Sequence, residues 1–230
     1  MTRNFSRAFT MLELLIVIAV IAILATIAYP AFIGALERAK VTKDMNNLRQ
    51  IGIATQLYMN DNDGALFSTT GSWMTQLYPK YTGAWGIFQS PFDTRARSEA
   101  GTTAAPFSPI SYGINGTPGL IGMAADKITK PTIFILFAPA QALGPTVTFQ
   151  GLATDPAGAT VLGNGGGTAT STPGGGATAG TQSNRQRINA LFADLHVETM
   201  SWTAFTTNAA NPPSDPDGYF RWTPYGPPYP

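Results

Sequence analysis

From Leu14 to Ala25 every residue is apolar, and between Phe9 and Leu36 the sole charge is Glu13. About 20 apolar residues in a helix cross a hydrocarbon core of roughly 30 Å, so this run predicts a membrane helix. The pattern changes after Leu36. Val41, Met45, Leu48, Ile51, Gly52, Thr55 and Tyr58 recur at helical spacing, while Glu37, Arg38, Lys40, Lys43, Asp44, Arg49 and Gln50 take the surface positions between them. That period predicts an amphipathic continuation, giving one helix from about Thr10 to Met59. The run Asn60-Asp61-Asn62-Asp63-Gly64 should end it, with glycine as the stop. Pro30 removes a backbone donor and Gly34 follows one turn later, so a kink or a locally melted turn is expected there.

The remainder reads as short strands separated by turn residues. Ile133–Phe137, Val147–Phe149, Ile188–Phe192 and His196–Trp202 are strand candidates, the last two joined as a hairpin through Ala193-Asp194-Leu195. Tyr219–Thr223 is a candidate edge strand, and the proline- and tyrosine-rich ending 224–230 should be extended. A Gly/Thr-rich stretch at about 157–182 buries little and predicts a surface loop or meander. The expected organisation is therefore a leader at 1–8, an apolar helix at 9–36, its amphipathic continuation at 37–64, and a β-rich head at 65–230. The fold class is α+β: a long N-terminal helix packed by its second half against a small antiparallel sheet with long loops.

Composition narrows the function classes. The chain has 230 residues, no cysteine, 12% charged residues and a net charge of +1. Thiol chemistry, disulfides and cysteine-ligated zinc are excluded, and no basic tract of the kind that tracks phosphates is present, so no nucleic-acid partner is expected. His196 is the lone histidine, two residues after Asp194. No Gly-x-Ser-x-Gly elbow accompanies it, so the pair reads as a turn and a strand residue making hydrogen bonds, and no enzyme is predicted. Asp61 and Asp63 before Gly64, and Asp215 and Asp217 before Gly218, partly imitate a calcium loop. Neither continues the alternating oxygen series or supplies the closing bidentate glutamate, and a turn is the preferred reading of Asp61–Gly64.

Three readings compete for the N-terminus. A secretory signal peptide has an apolar core of roughly 7–15 residues followed by a small-residue cleavage site; the core here is longer and contains a carboxylate. A plain anchor explains the length, and the leader arginines Arg3 and Arg7 place that end in the cytoplasm. It leaves Glu13 unexplained, since a charge in a membrane helix costs a few kcal/mol and is usually functional. The third reading begins from Ala8-Phe9-Thr10-Met11-Leu12-Glu13-Leu14-Leu15 and the apolar run on to Phe32. This segment resembles the processing site of type IV prepilins and type II secretion pseudopilins. The resemblance implies cleavage between Ala8 and Phe9 by a prepilin peptidase, methylation of the new terminus, and glutamate as the fifth mature residue, Glu13. Pro30 becomes mature residue 22, a position where the family carries proline. Ala8 departs from the family's glycine and predicts slower cleavage.

The resemblance further implies a homopolymeric filament, an inner-membrane assembly platform with its ATPase, and the lipid bilayer as partners. The subunit would lie in the inner membrane before assembly and then in a periplasmic or extracellular filament. Phe9, Glu13 and Pro30 are the assembly residues. The Glu13 carboxylate would pair with the Phe9 amine of a neighbouring subunit, so that neither charge is buried alone. Removing the leader would shift the side-chain charge from +1 to −1. Pseudopilins similar to this chain hold calcium in a C-terminal loop, which makes Asp215 and Asp217 the better of the two calcium candidates. Segments 60–64, 111–116 and 189–198 resemble a large-headed pilin-like subgroup abundant in planctomycete and verrucomicrobial bacteria. That subgroup carries His, nine residues, then Asp-Gly; here Asn184 and Leu195 replace the His and Gly, so no role of that histidine transfers. The alternative function is a membrane-anchored extracytoplasmic binding protein whose helix is only an anchor.

Overall fold

The structure is a computed structural model that describes residues 9–68, 72–93, 110–115, 119–142, 148–149, 160–162, 168–170, 181–182, 186–206 and 217–225. Helix α1 spans Met11–Asp61 without a break in its helical assignment, Pro30 included. The expected melting at Pro30 is therefore not seen: proline removes one donor from the ladder, and flanking turns hold the helical geometry. The helix ends as its sequence predicts. Gly64 takes φ +77° and its N–H donates to the Met59 carbonyl at 2.9 Å, while the Asn62 amide donates to the Tyr58 carbonyl at 2.7 Å. Glycine carries no Cβ penalty in this left-handed position.

The chain divides into two compact units, 1–39 and 40–230. In the first, the large apolar side chains from Met11 to Leu36 are exposed. In the second, α1 buries Leu48, Ile51, Ala54, Thr55 and Tyr58 against the head. The head sheet has the order β3-β1-β2-β6-β7. Its antiparallel part comprises β1 (Ile110–Asn115), β2 (Ile135–Ala142), β6 (Arg187–Phe192) and β7 (Val197–Ser201). The two-residue β3 (Thr148–Phe149) adds to β1 in parallel. Within the Gly/Thr-rich stretch, β4 (Thr160–Leu162) and β5 (Thr168–Thr170) form a separate antiparallel pair.

Two elements differ from expectation. The segment read as a last edge strand is instead helix α4, Gly218–Trp222, with short helices α2 (Trp73–Leu77) and α3 (Trp202–Thr206) preceding it. Trp222 is fully buried with its ring edge-on to Phe205 at 4.9 Å, and Asn115 donates to the Trp222 carbonyl at 3.3 Å. A buried tryptophan and a paired carbonyl hold a helical turn as readily as a strand would, so tertiary contact overrides aromatic β-propensity. β1, which alternation did not reveal, is buried at all six positions. A strand covered on both faces shows no period of two.

An aromatic cluster of Tyr58, Phe67, Trp73, Phe88 and Phe137 fills the space between helix and sheet, with Trp73 at 4.8 Å from Phe137 and 5.2 Å from Phe88. At Gly52 the helix approaches the head closely. A Cβ there would lie 3.1 Å from Leu191 Cδ1 and 3.7 Å from Leu195 Cδ2. Gly52→Ala should be close to neutral, because the flexible leucine tip gives way while alanine gains about 1 kcal/mol of helix propensity. Gly52→Leu overpacks the contact and should cost about 1–3 kcal/mol. Urea unfolding of the detergent-solubilised chain separates the two: equal midpoints for both variants would contradict this packing.

Candidate functional site

The N-terminal site is built by the first turn of α1. Thr10 precedes the helix, and both its N–H and its hydroxyl donate to Glu13 Oε2, at 2.9 and 2.8 Å. The Glu13 N–H in turn donates to Thr10 Oγ1 at 3.2 Å. This reciprocal pattern is a capping box, and it satisfies donors that the start of a helix otherwise leaves open. Glu13 thus holds the first turn as well as carrying a charge. The sequence carries this signal as Thr-x-x-Glu ahead of an apolar run, whereas the charge of Glu13 alone does not point to Thr10. Only one oxygen, Oε2, accepts the Thr10 bonds, and the residue is exposed. Phe9 is exposed beside it, whereas Ala8 lies outside the described residues.

Behind this turn runs the apolar stretch. α1 is, among the described residues, the one helix long and apolar enough to cross a membrane, and its most apolar window is wholly exposed. Residues 3–29 match the family described as the prokaryotic N-terminal methylation motif. The chain carries a type IV pilin-like prepilin motif. A search of curated proteins and a search of solved structures each found no match. The motif supports a pilin-like or pseudopilin precursor and a structural subunit, and together with the apolar helix it is consistent with membrane insertion, peptidase processing and filament assembly.

What the prepilin motif does not reach is the head, where α1 is tied down by a polar centre. Asp44, assigned to the helix surface by its period, is instead fully buried. Its Oδ1 accepts from the Ser90 hydroxyl at 2.5 Å and the Tyr112 hydroxyl at 2.6 Å, and its Oδ2 accepts from the Asn189 amide at 2.7 Å. Asn189 Oδ1 accepts from Gln182 at 2.8 Å and Thr199 at 2.6 Å, which orients the amide so that its NH2 faces Asp44. Asn47 adds a bond to the Gln89 carbonyl at 3.1 Å. A single carboxylate therefore joins α1 to the loop before β1, to β1 and to β6. Period alone misplaces Asp44 because its partners come from 46 to 145 residues away.

Of the remaining candidates, Asp61 and Asp217 are each paired with a lysine. Asp61 accepts from Lys80 Nζ at 2.8 Å and Tyr81 at 3.0 Å, which holds its carboxyl below the usual range and raises the Lys80 ammonium. Asp63 sits in the left-handed turn at φ +52°. Asp217 pairs with Lys130 at 3.1 Å, and that ammonium lies 4.2 Å from the Phe220 ring centroid. Asp215 and Asn184 lie outside the described residues. Among the described residues no group of three or more His, Asp or Glu is placed to hold a metal. His196 Nδ1 lies 2.5 Å from Asp194 Oδ1, its ring stacks on Phe192 at 4.3 Å, and Leu195 between the two polar residues takes φ +71°.

Burial pushes the Asp44 carboxyl above its ordinary pKa, against the lowering effect of its three donors, and the Tyr112 hydroxyl is raised as well. A carboxyl with a raised folded pKa binds its proton more tightly when folded, so its contribution is complete below the unfolded value, near ~3.9. That contribution is lost as pH climbs to the folded value. The difference in unfolding free energy between wild type and Asp44→Asn should therefore shrink as pH rises above about 4. Asp44→Ala, which orphans three donors, should cost on the order of 3 kcal/mol or more at acid pH and less as pH rises. Chemical denaturation across the acid range checks both; a wild-type-minus-Asn difference that grows with pH would contradict the assignment.

Proposed function

We propose that this chain is a structural subunit of a type IV pilus-like or type II secretion pseudopilus filament. It enters the inner membrane through α1, is cut before Phe9 by a prepilin peptidase, and polymerises through the same helix into a periplasmic or extracellular filament. Its partners are copies of itself, the peptidase, and an inner-membrane platform with its ATPase. The observation that carries the reading is Glu13: a carboxylate inside a prepilin motif, four residues after the cut and at the start of an exposed apolar helix.

The physical account follows from the cost of that charge. A carboxylate at the head of an apolar helix is compatible with a water-poor filament core when a cation meets it, and cleavage creates one at Phe9. A neighbouring subunit's amine neutralises Glu13, and the carboxylate also suits the positive end of the helix dipole. Thr10 keeps the side chain folded back over the first turn in the single subunit. Gathering the apolar halves of many subunits covers surface that a single chain leaves open.

Glu13→Gln keeps a polar acceptor on the cap and removes the charge. It should leave membrane insertion intact and reduce filament yield severely, because an unpaired buried amine costs about 3–5 kcal/mol per subunit. Electron microscopy of sheared filaments alongside membrane fractionation reads both. Variant filaments at wild-type abundance would overturn the charge-pairing mechanism, whereas a wild type that inserts but forms no filaments would favour a plain anchor bearing a binding head.

A further inference from the structure

The helix segment that follows the apolar run is basic on its exposed side. Arg38, Lys40, Lys43 and Arg49 are all exposed. Between Arg38 and Arg49 the only acid is Asp44, and its carboxylate is turned inward to Ser90, Tyr112 and Asn189. The buried centre therefore turns Asp44 away from this surface, where Glu37, half-buried beside Arg38, faces three exposed basic neighbours at Arg38, Lys40 and Lys43. Lys40 and Lys43 stand four and seven residues after Leu36, the last residue of the apolar run. At 1.5 Å per residue, Lys40 and Lys43 are about 6 and 10 Å along the helix from that point, within and at the outer edge of a headgroup layer about 5–8 Å deep.

This placement opposes the usual charge rule. Lys and Arg are favoured on the cytoplasmic side of a membrane helix, and Arg3 and Arg7 already mark that side here. A second basic cluster at the far end weakens the orientation signal, so its presence calls for a compensating interaction. We propose that Lys40 and Lys43 form a docking surface for anionic phospholipid headgroups of the leaflet on the head side, holding the unassembled subunit at a fixed depth. The proposal rests on membrane insertion and not on filament formation. Each basic side chain at an anionic membrane surface contributes about a five-fold preference. Screening by salt weakens it within a Debye length.

The absence of cysteine allows a single label. Asn46, exposed one turn from Lys43, is replaced by cysteine in the full chain and tagged with a fluorophore. The protein is placed in nanodiscs of phosphatidylcholine with about one-third phosphatidylglycerol, a fraction high enough to charge the surface. Headgroup-spin-labelled phosphatidylglycerol should then quench the tag at least about five-fold more than spin-labelled phosphatidylcholine. Lys40→Gln/Lys43→Gln, at exposed positions that leave the core untouched, should bring the two lipids to equal quenching, as should roughly 1 M salt. Equal quenching in the wild type, or a preference that survives in the double variant, would overturn the proposal. Absence of quenching by either lipid would instead defeat insertion itself, and the docking surface with it.

Discussion

Large apolar side chains stand exposed along α1 from Met11 to Leu36, and no isolated chain in water tolerates that surface. That surface calls for cover, on the proposed reading first by lipid and then by copies of the same helix. The carboxylate of Glu13 makes sense only within that constraint. In lipid or in a packed core it needs partners, and Thr10 gives it a local one from the start.

The second half of α1 solves the opposite problem. It has a head to pack against, and the contact is fixed by shape at Gly52 and by hydrogen bonding at Asp44. The two devices are complementary. Apolar packing of Leu48, Ile51 and Ala54 supplies the driving force but tolerates sliding, whereas a buried carboxylate with donors from three parts of the head tolerates one arrangement. Asn189 extends the centre to β7 through Thr199, so the hairpin at the edge of the sheet is tied to the same point.

The parts of this structure that were legible in sequence are those governed by local rules. The apolar run, the helical period through Tyr58, the glycine stop at Gly64 and the β6–β7 hairpin follow from composition and spacing within a few residues. So does the prepilin-like segment, whose residues are contiguous. What escaped depended on distant partners. Asp44 looks like any helix-surface acid until Ser90, Tyr112 and Asn189 converge on it, and α4 looks like a strand until Trp222 is buried beside Phe205. The capping box at Thr10 is a local signal too, since Thr-x-x-Glu stands directly ahead of the apolar run.

The identity of the mature N-terminus tests the central claim most directly, because each reading of the apolar run leaves a different first residue. Intact-mass and N-terminal peptide analysis of the chain recovered from its native filaments should find it beginning at an N-methylated Phe9. A chain retaining Met1–Ala8 in those filaments, or one cut beyond the apolar run as a signal peptide would be so that Glu13 is lost, would contradict the account.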